Sequence, residues 1–167
     1  MCGIVGFTGA QSAAPLLLDG LKKLEYRGYD SAGIAVMDGQ KITVSKVTGR
    51  IANLCEKTKD GADVPGSTGI GHTRWATHGA PTEENAHPHL SNDGVFAVVH
   101  NGIIENYMQL RDELIRDGYH FESETDTEVI VHLIEMYYRG NMRKALLKTT
   151  NRLQGSYALG GICSEEP

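Results

Sequence analysis

Cysteine is scarce in this chain: Cys2, Cys55 and Cys163 are the only three, odd in number and far apart. Such spacing excludes a disulfide framework, matches no zinc-ligand pattern and fits a reducing compartment. No run of Lys or Arg occurs, and 16 basic against 21 acidic residues give a formal net charge of -5. That balance excludes a surface built for nucleic acid or for an anionic membrane. No apolar stretch reaches the length of a membrane span. No charged segment followed by an apolar one opens the chain, and no Asn-x-Ser/Thr acceptor is present, so a cytoplasmic location is expected. Nucleotide-binding loops of the G-x-x-x-x-G-K-S/T or G-x-G-x-x-G type are missing as well.

What remains is an ordinary globular balance, with 40% hydrophobic and 22% charged residues over 167 positions. It is enough for one domain with a real core. Residues 2–8 read as a buried strand ended by Thr8-Gly9, and residues 13–25 as a helix with Leu17, Leu21 and Leu24 on one face. Residues 32–38 and 41–48 are apolar-rich runs joined by Asp38-Gly39, a hairpin signal. A short helix over 50–58, a polar loop over 59–67 and a strand over 69–74 follow. Residues 75–93 lack any period and predict a long irregular loop, the kind of segment that often carries function. Val95 to His100 predicts a strand. Asn106 is placed to cap a helix ending at Gly118, with Tyr107, Leu110, Leu114 and Ile115 facing inward. Thr125 and Glu128 have capping-box spacing for a helix reaching about Arg139. Asn141 can cap a third helix to about Arg152, and residues 155–162 predict a last strand. Strands flanking a helical middle give α+β layers rather than βαβ alternation.

Four segments carry chemistry. Cys2 follows a methionine that can be clipped, which would give one residue both a thiol and a free α-amine, a nucleophile with its own base. A second methionine-free condition matters: an intact Met1 acylates that amine. A cysteine so placed is also, on its own, simply a small buried hydrophobe. Glu25 to Gly33 is polar and glycine-punctuated, and reads equally as a turn in which Asp30 and Ser31 bond locally. Gly71 to Gly79, with Asn85-Ala86-His87-Pro88-His89, concentrates histidine. His100-Asn101-Gly102 closes an apolar strand, where Asn-Gly can be a tight turn or an amide and an N–H converging on an oxyanion. Five of the seven histidines fall between residues 72 and 100. They lack His-Glu-x-x-His spacing and a carboxylate in ligand register, so no metal is expected. Thr125-Asp126-Thr127-Glu128 can both start a helix and hold the Asp126 carboxylate ready for a ligand.

Taken in order, Met-Cys-Gly-Ile-Val-Gly from 1, Glu-Tyr-Arg-Gly-Tyr-Asp-Ser-Ala-Gly from 25, His-Thr-Arg-Trp-Ala-Thr-His-Gly from 72, Asn-Ala-His-Pro-His from 85, Val-Val-His-Asn-Gly-Ile-Ile-Glu-Asn from 98 and Ser-Glu-Thr-Asp-Thr-Glu from 123 resemble the class II glutamine amidotransferases. Among these the chain is most similar to glutaminase domains of the glutamine–fructose-6-phosphate aminotransferase (glucosamine-6-phosphate synthase) family. Amidophosphoribosyltransferases, the alternative, share the start and the Asn-Gly element. They typically carry Arg-Gly-Gln-Asp and His-x-Arg-Tyr where this chain has Arg27-Gly28-Tyr29-Asp30 and His72-Thr73-Arg74-Trp75.

The resemblance implies an N-terminal-nucleophile fold, a four-layer αββα sandwich over residues 2–167. It implies that Cys2 attacks the glutamine amide with its α-amine as base, and that the Asn101 side chain and Gly102 N–H form the oxyanion hole. Arg74 would meet the substrate α-carboxylate and Asp126 its α-ammonium. Trp75, Thr77 and His78 would line the pocket, Arg27 and Gly28 would lie beside Cys2, and His87 would hold the long loop. No cofactor is implied. In the family the domain runs on past the length seen here and two sugar-isomerase domains follow. The expectation is therefore a chain truncated on its C-terminal side, with glutamine and the isomerase domains of a parent chain as partners, and a homo-oligomer in the full-length enzyme.

Overall fold

The computed structural model describes residues 2–76 and 79–166. Two antiparallel sheets lie face to face with helices outside them, the αββα layering expected. The first sheet takes β1 (Gly3–Thr8), β2 (Ser31–Met37), β3 (Ile42–Thr48) and β4 (Thr68–Arg74) in the order β1-β4-β2-β3. Every residue of β2 is buried, as befits a strand with a neighbour on each side and a layer on each face. Helices α1 (Ala13–Leu24) and α2 (Ile51–Lys57) cover the outer face through Leu17, Leu18, Leu21 and Leu54.

The second sheet has the order β5-β6-β7, from β5 (His89–Leu90), β6 (Phe96–Ile104) and β7 (Gly155–Cys163). Helices α3 (Tyr107–Arg116), α4 (Glu128–Tyr137) and α5 (Met142–Thr150) complete the chain. Phe96, Val98 and Ile104 of β6 pack with Leu110, Leu114 and the apolar residues of α4. A third cluster fills the space between sheets, with Ala35, Met37 and Ile70 meeting Ala97, Val99 and Ile162. Alternate β6 side chains therefore serve two cores, the period-2 logic of a strand buried on both faces.

Several expectations need correction. The long loop contains a short strand, β5, paired to β6 through His89↔Val98 and Leu90↔Ala97. The strand predicted to stop at His100 continues to Ile104, because β7 pairs along its whole length. Asn101-Gly102 is thus neither a tight turn nor a strand end. Asn106 does not cap α3 with its side chain: it donates to Arg152 O at 2.8 Å and accepts the Gln154 N–H at 3.0 Å, tying the helix start to the approach of β7. Ile115 is half exposed, so the inner face of α3 rests on Leu110 and Leu114 with Tyr107 packed against the same cluster. Asn141 does cap α5, accepting the Lys144 N–H at 2.8 Å.

Candidate active site

The site forms where the end of β4 and the start of β1 meet the middle of β6. Gly3 pairs with Thr73 and Ile4 with His72, so Cys2 comes abreast of Arg74 and Trp75. Its Sγ accepts the Trp75 N–H at 3.3 Å and lies 3.6 Å from Trp75 O. The sulfur is half-buried, held by backbone and still reachable. Gly28 backs this corner, since a Cβ there would come 2.7 Å from the Arg74 carbonyl carbon. Arg27 shares an outer groove with Cys2, but its Nε donates to the Tyr26 hydroxyl at 3.0 Å.

Asn101 spans the gap between sheets. Its Nδ2 donates to the Cys2 carbonyl oxygen at 3.2 Å, a group that can only accept. The amide oxygen is thereby turned toward His72 Nε2, 2.8 Å away. That nitrogen must carry the ring proton, because two acceptors cannot share a hydrogen bond. Gly102 follows with φ +125°, and a Cβ at this position would stand 2.2 Å from Ser156 O across the ladder. Only glycine takes this conformation at this separation.

Arg74 and Asp126 are both buried and both line the inner cavity. The Arg74 guanidinium donates to Ala80 O and Gly79 O, each at 3.2 Å, and so ties down the loop beyond β4. Asp126 Oδ2 accepts the Ile104 N–H at 2.8 Å, and its Oδ1 lies 4.0 Å from His100 Nδ1. Trp75 is exposed at 46% and meets Tyr29 edge-on, with ring centroids 5.2 Å apart. Thr77 and His78, named from the resemblance, lie outside the described residues.

Histidines build the floor. The His72 ring stacks on His87 with centroids 4.2 Å apart, and His87 meets His89 edge-on at 4.9 Å. His87 Nδ1 accepts the His100 N–H at 3.3 Å, which leaves the proton on Nε2 to be donated to Thr127 Oγ1 at 3.2 Å. The Thr127 hydroxyl in turn reaches His100 Nδ1 at 2.9 Å. Burial drives His72 down to about 4 and His89 to about 3, and holds His87 well below its ordinary value. Burial also lowers His100, against the pull of Asp126. These rings are neutral at neutral pH. They are scaffold, which agrees with His87 holding the loop. Among the described residues, no group of three or more His, Cys, Asp or Glu side chains is placed to hold a metal ion.

Cys2, Trp75 and Gly102 stand between two spaces. On one side is a narrow cavity of about 30 Å³, walled by His72, Arg74, His87, His100 and the 125–127 turn. On the other is an open groove of about 670 Å³, lined by Arg27, Asn101, Ile103 and residues 156–158 of β7. The first can grip the charged end of an amino acid; the second is mostly apolar.

Some working residues escaped the sequence reading. Asp30 does bond Ser31 locally, at 3.1 Å, but its second oxygen accepts the Ala76 N–H and pins the chain just beyond Trp75. The Thr125–Glu128 capping box does not form. Glu128 instead accepts the N–H groups of Glu122 and Ser123 at 2.8 and 2.7 Å together with the Ser123 hydroxyl, while Thr125 Oγ1 turns to His89 Nε2 at 3.0 Å. Asn85 ties the two loops together through Ala80 O and the Glu124 N–H. Each lies within a quoted motif, but its partner is distant in sequence or not the one its spacing suggests.

A cysteine at the start of β1, an amide opposite it on the facing sheet and helices outside the two sheets define an amidotransferase fold of the N-terminal-nucleophile type. The chain belongs to the glutamine amidotransferase domain family, whose pattern matches residues 72–166 and so takes in the end of β4, all of β6 and the Asp126 turn. It is 55% identical over all 167 residues to a glutamine–fructose-6-phosphate aminotransferase (isomerizing) of Clostridium tetani and 56% identical to that of Aquifex aeolicus. It spans 27% and 28% of those two relatives. Among solved structures, glutamine phosphoribosylpyrophosphate amidotransferase from B. subtilis, complexed with ADP and GMP, superposes with a TM-score of 0.85 at 30% identity. The match covers 98% of this chain and 35% of that one.

Proposed function

We propose that this chain is a glutaminase unit in which Cys2 releases ammonia from the side-chain amide of glutamine. The observation that supports the reading is that Cys2, hydrogen-bonded through its carbonyl to Asn101 Nδ2, lines with Gly102 the same inner cavity as Arg74 and Asp126. Once Met1 is removed, the α-amine of Cys2 takes the thiol proton as sulfur attacks the amide carbon. The developing oxyanion is met by Asn101 Nδ2 and the Gly102 N–H, a pair in which each donor is worth about 3 kcal/mol in comparable hydrolases. The proton passes to the departing nitrogen, ammonia leaves, and water hydrolyses the thioester to glutamate. Arg74 is the cation for the α-carboxylate and Asp126 the anion for the α-ammonium, so the inner cavity selects a free amino acid.

The identity to aminotransferases supports a further step in the parent polypeptide: the ammonia converts fructose 6-phosphate to glucosamine 6-phosphate in sugar-isomerase domains. An amidophosphoribosyltransferase parent has weaker support, 30% against 55% identity, and Trp75 and Tyr29 stand where that group typically has tyrosine and glutamine.

The test uses protein whose mass shows Met1 absent. A glutamine-analogue electrophile is expected to add once, at Cys2, and to abolish ammonia release. An adduct elsewhere, or none, would overturn the reading. Supplying the full-length polypeptide with glutamine and either fructose 6-phosphate or phosphoribosyl pyrophosphate separates the two acceptors.

A further inference from the structure

Asn101 can serve an oxyanion only if its NH2 end faces Cys2, and nothing in the covalent structure of an asparagine enforces that orientation. The two ends of a carboxamide are nearly equal in size, and a half turn about the last side-chain bond exchanges them. Here the exchange is opposed from both sides. The Cys2 carbonyl requires a donor at 3.2 Å and His72 Nε2 supplies one at 2.8 Å. A flipped amide would set oxygen against oxygen at Cys2 and N–H against N–H at His72.

We propose that His72 is a positioning residue for the oxyanion hole: its Nε2–H locks the Asn101 carboxamide with Nδ2 toward the reacting sulfur. The proposal rests on the glutaminase reading above. Three further features fit it. The His72 ring is 1% exposed and stacked on His87, so its plane cannot wander. Asn101 is the side-chain partner of this ring, at 2.8 Å, and the His100 backbone is the other polar group beside it. Burial keeps the ring neutral, with one donor and one acceptor nitrogen. His72 sits in β4 and Asn101 in β6, so the contact also joins the two sheets at the nucleophile.

Without the His72 donor the Asn101 oxygen is left unpaired, the carboxamide swings away to find a partner, and the oxyanion loses one donor for most of the time. Loss of a whole donor of this kind costs about 10²–10³-fold in kcat. His72→Leu should therefore lower kcat for glutamine hydrolysis by about 10- to 100-fold with KM nearly unchanged. His72→Gln, which offers an amide N–H at similar reach, should recover most of that loss.

The deciding experiment is a double-mutant cycle with Asn101→Ala in the natural full-length polypeptide. If His72 acts through Asn101, adding His72→Leu to Asn101→Ala lowers kcat no further. Multiplicative losses would overturn the proposal and mark His72 as a general structural residue. Should His72→Leu fail to fold, the cycle is run with His72→Asn, whose shorter amide falls short of Asn101. Iodoacetamide alkylation of Cys2, which needs no oxyanion hole, should proceed at the wild-type rate in each folded variant. A wild-type protein that releases no ammonia counts against the glutaminase reading; an active wild type with a multiplicative cycle counts against this proposal alone.

Discussion

Gly102 does two jobs with one missing atom. Its φ of +125° holds the strand in a conformation reserved for glycine, and its lack of Cβ lets Ser156 O close the β6–β7 ladder 2.2 Å from where that atom would be. Gly102→Ala should separate the strands at the oxyanion hole. We expect kcat to fall by about 10²-fold or more, with a stability loss of about 1–3 kcal/mol from forcing an L-residue into this region. Steady-state glutaminase assays and urea unfolding would check both; an alanine variant with wild-type kcat would remove Gly102 from the site. Asn-Gly reads in the sequence as a tight turn or as an oxyanion pair, but not as the middle of a strand. Its local preference is for a turn, and the pairing that overrules it comes from β7, more than fifty residues further on.

Among the elements, the turn before α4 matters most, because it presents Asp126. Its rigidity comes from Glu128, 3% exposed, which accepts two backbone N–H groups and the Ser123 hydroxyl. Burial alone would raise the Glu128 carboxyl, but His132, Ser123 and the two amides outweigh it and bring it down to about 2. Glu128→Ala leaves those donors buried and unpaired, so it should destabilise the protein by about 3 kcal/mol. It should also raise KM for glutamine while leaving alkylation of Cys2 intact. An unchanged KM would show that Asp126 is held without Glu128. The stripe of Val129, Ile130, Leu133 and Ile134 made α4 visible in the sequence, as Asp38-Gly39 did for the β2–β3 hairpin. The anchors were not visible. Glu128 reaches back beyond Thr125 to Ser123, and Asn106 serves a strand rather than its own helix. Spacing predicts where a side chain can bond, while the packed layers decide where it does.

At the scale of the molecule, the space between the sheets is apolar at one end, around Ile70 and Val99, and filled with neutral imidazoles at the other. Those histidines make stability depend on pH. A histidine whose folded value lies below its unfolded value of about 6.5 binds its proton more readily when the chain is unfolded. Stability is then fully present above about pH 6.5 and falls as pH drops toward the folded value. For His72, at about 4, the loss by pH 4 amounts to about 3 kcal/mol. Glu128 acts in a lower window. Its carboxyl is lowered to about 2 in the fold, so its contribution holds above its unfolded value of about 4.3 and is lost as pH falls through 2. Thermal unfolding followed from pH 7 to pH 4 should show the midpoint falling steadily through this upper window. A flat profile down to pH 5 would contradict a neutral histidine floor.

The position of Cys2 between a narrow cavity and a wide groove has a consequence for how the reaction can be blocked. If the inner space holds glutamine as proposed, a molecule shaped like an amino acid competes for it. A molecule seated against Ile103 and Tyr157 occupies ground that glutamine need not touch, so it can obstruct traffic past the sulfur while the substrate is still bound. Saturating glutamine would relieve the first kind of inhibition and leave the second in force.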